Sequence, residues 1–347
     1  MNSPATFISL PVEVVVYFFG KGSIQDIEDY FAAVVENESG MLPFAATGDR
    51  TGGFERIGWT QPNQLVFIAN TDLCYQYTGS TDAPESSSFE YKWFRDDAMD
   101  YYALMKKWND MGFWSKNAIS NTEQVRDAFE NGKSSSLTWN TPIFLAAKNL
   151  VKNNPEWTYE ALDINPDTIR TQALYTNDCI AIAAASKNPE RAAMFVDLAK
   201  NDMDIYLKLV GGIEGTHYIL NENGTRTAGP DAEKYPWNPS TWCFNRTPGA
   251  APEDADTLPG QLTFEAEQLA KAVNPATTAF RFDVEPVKSE LAALDALRDE
   301  ICPTLNLGMV EDIDATVADW KAKAEAAGLN TVMDEFTKQY DAWKASL

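Results

Sequence analysis

The chain carries one histidine, His217, and four cysteines, Cys74, Cys179, Cys243 and Cys302, in 347 residues. One imidazole cannot build a histidine-rich zinc site. A Ser-His-Asp or Cys-His pair would have to use His217, which sits in GGIEGTHYIL with no nucleophile motif beside it. That histidine fits a structural hydrogen-bonding role better. The cysteines are 105, 64 and 59 positions apart and form no CxxC, so a thiolate metal cluster or thioredoxin-like centre is not expected. Three complete pairings and free thiols all stay open; buried small apolar side chains are the simplest reading. With 51 acidic residues, a carboxylate pair for glycoside hydrolysis is available by abundance alone. Asp283 and Glu285 in FDVEPVK are such a pair, but their place before Pro286 suits them to capping a helix. The residue types therefore point to no catalytic group, no metal site and no cofactor.

Charge narrows the partners. Twenty-eight basic against 51 acidic residues give a net charge of −23. Such a chain repels nucleic acid and anionic membrane surfaces and suits neutral or cationic small ligands. An apolar share of 44% with 23% charged residues is a globular mix, and the length suggests about two domains. The apolar run at 7–20 is broken by Pro11 and Glu13 and is too short to span a bilayer. It lacks a basic start and a small-residue cleavage site, and no lipobox cysteine follows, so it reads as a buried strand over 12–19 and not as a signal peptide.

The elements that would position any site are mostly helical. Ser23 can cap a helix from Ile24, with Ile24, Ile27, Phe31, Val34 and Val35 on one face. The stretch 47–58 is dense in glycine and charge and reads as a loop, as does 79–88; 65–69 is a short apolar segment of either type. A helix is expected over 97–112 with Met99, Tyr102, Ala103 and Leu104 inward, and another from Thr122 with Val125, Ala128 and Phe129 inward. A short strand at 135–139 ends in Trp-Asn-Thr-Pro, and Pro142 can open the next helix. Residues 171–185 suggest strand, polar turn, strand; Asn188-Pro189 then starts a helix over 190–200. Residues 224–259 show little periodicity. Three helices close the chain, one over 286–301 with Val287, Leu291, Leu294 and Leu297 inward and two more split by Gly328. The last places Met333, Phe336, Tyr340 and Trp343 on a core-facing stripe. The expected class is α/β with helix exceeding strand, divided as 1–185 and 186–347.

Several segments in order resemble one family: GFERIGW, FENGKSSSLTWNTP, IAIAAASKNPERAAMFVDLAKNDMDIYLKLVGGIEGTHYIL, FDVEPVKSELAALDALRDEICPTLNLGMVEDI and AAGLNTVMDEFTKQYDAWKAS. They are similar to extracellular solute-binding proteins of ATP-driven (ABC) importers, nearest the LipO-like lipoprotein branch. The resemblance runs from about Ser23 to the end. It implies a periplasmic-binding-protein-like fold of two α/β lobes, with the solute held between them and delivered to a membrane permease. It also implies about one lobe's worth of sequence before Ser23, holding a signal, a lipid-attached cysteine and most of the first lobe. The first lobe is therefore expected to be incomplete here. The implied protein is a monomer, cell-surface or extracellular and lipid-anchored, and not an enzyme. A truncated or scaffold form without ligand binding is the alternative, and a glycoside hydrolase a more distant one.

A carbohydrate is the solute this reading favours. Its ring needs flat apolar faces and its hydroxyls need planar polar groups. Trp139 is the first candidate, because it ends a strand and the resemblance places an aromatic facing the ligand there; packing is the competing role. Asn140 shares its loop and could bond a hydroxyl or cap the turn. Asn177 and Asp178 form either a tight turn or a ligand loop just before SKNPE. Trp59 in GFERIGWT, and Trp237 and Trp242 in the Pro-rich YPWNPSTWCF, complete the set, each against a packing role.

Overall fold

The computed structural model describes residues 19–48, 54–138, 143–171, 180–236, 251–258 and 260–347. Ser23 starts the first helix, α1 (Ile24–Asn37), through a capping box. Its hydroxyl accepts from the Asp26 N–H at 3.2 Å while the Asp26 carboxylate accepts from the Ser23 N–H at 2.8 Å. Four strands pair in parallel around this helix's neighbourhood: β1 (Phe19–Gly22) with β7 (Ala161–Ile164), and β2 (Leu42–Phe44) with β6 (Ser134–Ser136). The segment of ambiguous type at 65–69 contains β3 (Leu65–Phe67), which joins β4 (Leu73–Gln76) and β5 (Glu90–Tyr91) in an antiparallel sheet.

Helix α2 (Asp96–Asp110) forms where expected, but its inner face differs from the expected one. Ala98, Tyr101, Tyr102, Met105 and Trp108 are buried, whereas Ala103 is exposed and Met99 and Leu104 are half-buried. The large aromatic rings, which have the most area to remove from water, set the rotation. The stretch 47–58 is also corrected. From Phe54 the chain is helical and passes into a π-helical turn, Arg56–Thr60, that buries Phe54 and Trp59. Two apolar anchors outweigh the glycines there. The helix expected from Thr122 begins at Val125 instead, as α3 (Val125–Glu130), with the expected buried face. Helix α4 (Ile143–Asn153) follows.

The chain divides into two units, residues up to 171 together with 267–347, and residues 172–266. The expected boundary at 185/186 falls inside the second unit. The chain leaves the first unit through β8 (Arg170–Thr171) and re-enters near β11 (Ala272–Val273), and these two short strands pair in parallel. The second unit holds α5 (Pro189–Asn201), α6 (Met203–Gly211) and the antiparallel pair β9 (Tyr218–Leu220) and β10 (Arg226–Ala228). Helix α7 (Gln261–Ala270) carries the chain back. Of the strand, turn and strand expected over 171–185, residues 172–179 lie outside the described residues; 180–185 belong to no strand and end in a turn, with the Ser186 N–H donating to the Ala183 carbonyl at 2.9 Å. No strand among the described residues offers them a ladder.

The core of the first unit is aromatic. Phe31 of α1 meets Trp108 at 5.7 Å and 65°, and Phe54 meets the same indole at 5.2 Å and 90°. The closing helices are α8 (Lys288–Asn306), α9 (Ile313–Ala326) and α10 (Leu329–Lys344). Phe336 and Tyr340 of α10 stack at 5.6 Å and 15°, with Phe280 edge-on to both. Leu294 and Phe336 are buried as expected, and Leu291 and Trp343 are half-buried. Helix α8 runs through Pro303 past its expected end, because Cys302 and Leu305 bury its last turn. Cys74 and Cys302 are free and buried, and burial pushes the Cys74 thiol up to about 12. Cys179 and Cys243, like the expected strand before residue 19, lie outside the described residues. Helix exceeds strand among the described residues.

Candidate functional site

Two parallel strands direct their C-terminal ends to one edge, and in open α/β sheets that edge is where ligands bind. Here the pair is β2 and β6, in register at Phe44 and Ser136. Serine side chains fasten it. Ser135 Oγ and Ser136 Oγ both donate to the Pro43 carbonyl, at 3.2 and 2.7 Å. The Phe44 N–H donates to the Phe113 carbonyl at 3.2 Å, and the Tyr30 hydroxyl to the Ser135 carbonyl at 3.3 Å.

Past β2, Ala45, Ala46 and Thr47 are buried. Asn121 holds this exit by donating to the Ala46 carbonyl at 3.0 Å. Gly48 lies so close to the next loop that a Cβ would stand 2.5 Å from the Ile119 carbonyl oxygen. Past β6, Leu137 is buried and Thr138 is half-buried, its Oγ1 shielded from solvent with no hydrogen-bond partner among the described residues. The next residues in the chain are Trp139 and Asn140. Hydrogen bonds thus fasten both strands of the edge up to the position where the candidates begin.

Of the seven candidate ligand residues, Trp139, Asn140, Asn177, Asp178, Trp237 and Trp242 lie outside the described residues. Trp59 is described, and its place corrects the expectation. The indole is 0% exposed, donates from Nε1 to Asp97 at 2.8 Å, and stacks on Tyr101 at 5.5 Å and 17°. Both its faces and its one donor are spent inside the first unit. His217 has the expected structural role: Nδ1 accepts from the Ile213 N–H at 2.9 Å, and the ring lies beside Tyr235 at 5.4 Å. The capping expected of Asp283 and Glu285 is not found: neither the short helical turn Glu285–Val287 nor α8, which begins at Lys288, has a side-chain cap. Asp283 Oδ1 accepts from the Glu285 N–H at 3.1 Å, and Glu285 pairs with Lys288 at 3.1 Å.

One polar cluster was invisible in the sequence. Asp163 takes Arg170 Nη2 at 2.7 Å on one oxygen, and Gln268 Nε2 at 2.8 Å and Lys271 Nζ at 3.1 Å on the other. Arg170 Nε in turn donates to Gln268 Oε1 at 2.8 Å. The cluster pins β8 and β11, the strands at the two chain crossings between units. Asp163 and Arg170 lie 98 to 108 positions from Gln268 and Lys271, so no local spacing announces the cluster. Among the described residues no group of three or more histidine, cysteine or carboxylate side chains is placed to hold a metal. Among them, too, no helix is long and apolar enough to cross a membrane.

Residues 276–345 match a family described as a domain of unknown function, DUF3502. Comparison with solved structures covers far more of the chain. The N-glycan transport solute binding protein NgtS from Streptococcus pneumoniae superposes with a TM-score of 0.63 at 16% identity, over 94% of this chain and 69% of its own. The alginate-binding protein AlgQ2 gives 0.53 at 14%, over 92% and 68%. The S. pneumoniae ABC-transporter substrate binding protein FusA, an EF-hand mutant in complex with fructo-nystose, gives 0.52 at 13%, over 95% and 70%. The chain has the solute-binding-protein fold. No curated protein sequence matches it.

Proposed function

We propose that this chain is a non-catalytic carbohydrate-binding component of an ABC importer, handing an oligosaccharide to a membrane permease. The observation that carries the reading is the match of 94% of the chain to NgtS, with AlgQ2 and FusA beside it. Three proteins, two named for N-glycan transport and alginate binding and one solved in complex with fructo-nystose, share one fold with it. The β2–β6 edge supports the reading locally, since Trp139 and Asn140 follow it directly. In this reading Trp139 stacks on a sugar ring and Asn140 bonds a hydroxyl, while Asn177 and Asp178 are ligand residues of the second unit. Trp237 and Trp242 extend the apolar surface. The finer placement is a lipid-anchored, monomeric, extracellular protein of the LipO-like branch, whose first lobe includes further sequence beyond these 347 residues.

The test is calorimetric titration of the purified protein with Man5GlcNAc, an alginate oligosaccharide and fructo-nystose. Saturable binding of one of them, without release of reducing ends, is expected. Loss of one stacking indole is worth roughly 1 kcal/mol beyond its area, so Trp139→Ala should weaken binding about tenfold or more. It should do so with the melting temperature nearly unchanged. Heat from none of the three, or turnover of any of them, refutes the proposal.

A further inference from the structure

Trp237 and Trp242 lie outside the described residues, but the chain on either side of 237–250 is described, and both sides are tied to the β9–β10 hairpin of the second unit. On the entering side the anchor is Tyr235. Its hydroxyl donates to the Leu209 carbonyl at 2.7 Å, in the last turn of α6, and its ring lies against His217 at 5.4 Å and 31°. The imidazole is held in turn, since its Nδ1 accepts from the Ile213 N–H. Gly212, at φ +82°, leaves the room for this: a Cβ there would stand 2.4 Å from Nδ1 and 2.9 Å from the Tyr235 ring. The backbone continues the grip. The Gly229 N–H donates to the His217 carbonyl at 3.0 Å and the Asp231 N–H to the Thr216 carbonyl at 2.9 Å. The turn that carries Tyr235 is therefore bonded to the hairpin from its first residues.

On the returning side, residues 253–255 pair with the other edge of β10. The Arg226 N–H donates to the Glu253 carbonyl at 2.9 Å, and the Ala255 N–H to the Arg226 carbonyl at 2.8 Å, which makes a parallel bridge between Arg226 and Asp254. The Arg226 side chain, 7% exposed, adds an ion pair with the Asp254 carboxylate. The two anchors are close. One grips the hairpin at the Tyr218–Ala228 pair and the other at Arg226, two positions along β10, which is about 7 Å at the rise of an antiparallel strand.

A segment closed at both ends on one hairpin has given up in advance part of the freedom that meeting a ligand would cost it. We infer that Tyr235 on His217, and Arg226 with Asp254, are positioning residues that fix the two ends of the segment bearing Trp237 and Trp242, so that its indoles meet a sugar from a preset base. The sugar clause rests on the solute-binding reading; the anchoring does not.

The test is made on the 347-residue chain labelled with fluorotryptophan, following the fluorine resonance of Trp242, identified by its loss in Trp242→Phe. Two variants are compared with wild type, Tyr235→Ala and Asp254→Ala. Both side chains reach solvent, and Asp254→Ala leaves Glu253 and Asp256 to balance the Arg226 charge. Each variant should move the Trp242 resonance while hydrogen exchange in β9 and β10 stays within about threefold of wild type. Each should also weaken binding about fivefold or more for whichever of Man5GlcNAc, an alginate oligosaccharide and fructo-nystose the wild type binds. Tyr235→Phe, which keeps the ring on His217, should restore most of that affinity. An unmoved Trp242 resonance in both variants overturns the inference. So does hairpin exchange quickened beyond that limit in both, which would make these residues supports of the hairpin alone, and so does unchanged affinity with the resonance moved. A wild type that binds none of the three sugars, with Trp242 moved as expected, would sink the functional proposal and leave the anchoring standing.

Discussion

Replacing Trp59 with phenylalanine separates core from ligand platform in one variant. The indole is fully buried, with Tyr101 stacked on it and Trp93 and Tyr102 at 5.8 and 6.3 Å. Its Nε1 donates to Asp97, but Asp97 also accepts from Arg95 Nε at 3.1 Å and Nη2 at 2.9 Å. Losing the indole donor therefore does not orphan the carboxylate, and the hydrogen bond should cost about 1 kcal/mol. The smaller ring frees roughly 40 Å³, and at about 24 cal/mol per Å³ the cavity costs about 1 kcal/mol more. Trp59→Phe should thus lower stability by about 2 kcal/mol, and Trp59→Ala by about 3–5 kcal/mol. Urea unfolding followed by circular dichroism measures both, with the denaturant slope unchanged. Oligosaccharide titration of Trp59→Phe should give a wild-type affinity within about threefold. An unshifted urea midpoint with tenfold weaker sugar binding would return Trp59 to the ligand and refute the packing argument.

Glu28 provides a pH test. Burial pushes its carboxyl up, but the bonds from Lys107 Nζ at 2.6 Å and Trp108 Nε1 at 2.8 Å outweigh this and hold it below the usual glutamate value. A depressed value contributes stability above the ordinary pKa that is lost as pH falls through the folded one, so the gap in melting temperature between wild type and Glu28→Gln should be largest near neutrality and narrow as pH falls below the ordinary glutamate range. Glu28→Ala, which leaves the buried Trp108 N–H unpaired, should cost about 1–3 kcal/mol even in acid, and equal acid stabilities for alanine, glutamine and wild type would contradict this. At the chain crossing, Asp163→Asn leaves Arg170 and Lys271 without a counter-charge, and breaking such a shielded pair costs about 3–5 kcal/mol. Hydrogen exchange at residues 170–171 and 272–273 should quicken at least tenfold, and unchanged exchange would show that the β8–β11 pair stands without the cluster.

What was legible in the sequence was local. Ser23 before Ile24, Val125 with Ala128 and Phe129, Pro189 at the start of α5, and Gly328 with its left-handed backbone between two helices each act through themselves or near neighbours, and each element formed close to its expected bounds. What was not legible depended on distant partners. The rotation of α2 was decided by rings arriving from other elements, such as Phe31, Phe54 and Trp320, which no periodicity within α2 contains. The π-helical turn at Arg56–Thr60 was hidden by neighbouring glycines, although Phe54 and Trp59, five positions apart, were the available clue. Residues 180–182 are an apolar run of the kind that reads as a strand, yet they pair with no strand among the described residues, and an apolar run alone cannot supply a neighbour. Asp163, Arg170, Gln268 and Lys271 are ordinary surface residues until the fold brings them within hydrogen-bond distance.

The tryptophans carry the functional argument one step further. The chain has ten. Trp59, Trp93, Trp108, Trp114 and Trp320 are at most 3% exposed, inside the core of the first unit. Trp59, Trp108 and Trp114 also spend their N–H groups there, on Asp97, Glu28 and the Leu307 carbonyl. Trp157 and Trp343 are half-buried, the first with its ring against Gly132 and the second packed on Tyr340 within the closing helix. A sugar platform needs an indole whose face is open to a ring and whose removal leaves the core intact. That requirement sets aside the five core indoles and concentrates the proposal on Trp139, Trp237 and Trp242. Trp139 stands first among them because a parallel edge, fastened by Ser135, Ser136 and Asn121, ends just before it. Such an edge can hold an aromatic face in place before ligand arrives, and preorganisation of that kind is where affinity for a weakly hydrophobic ligand is gained.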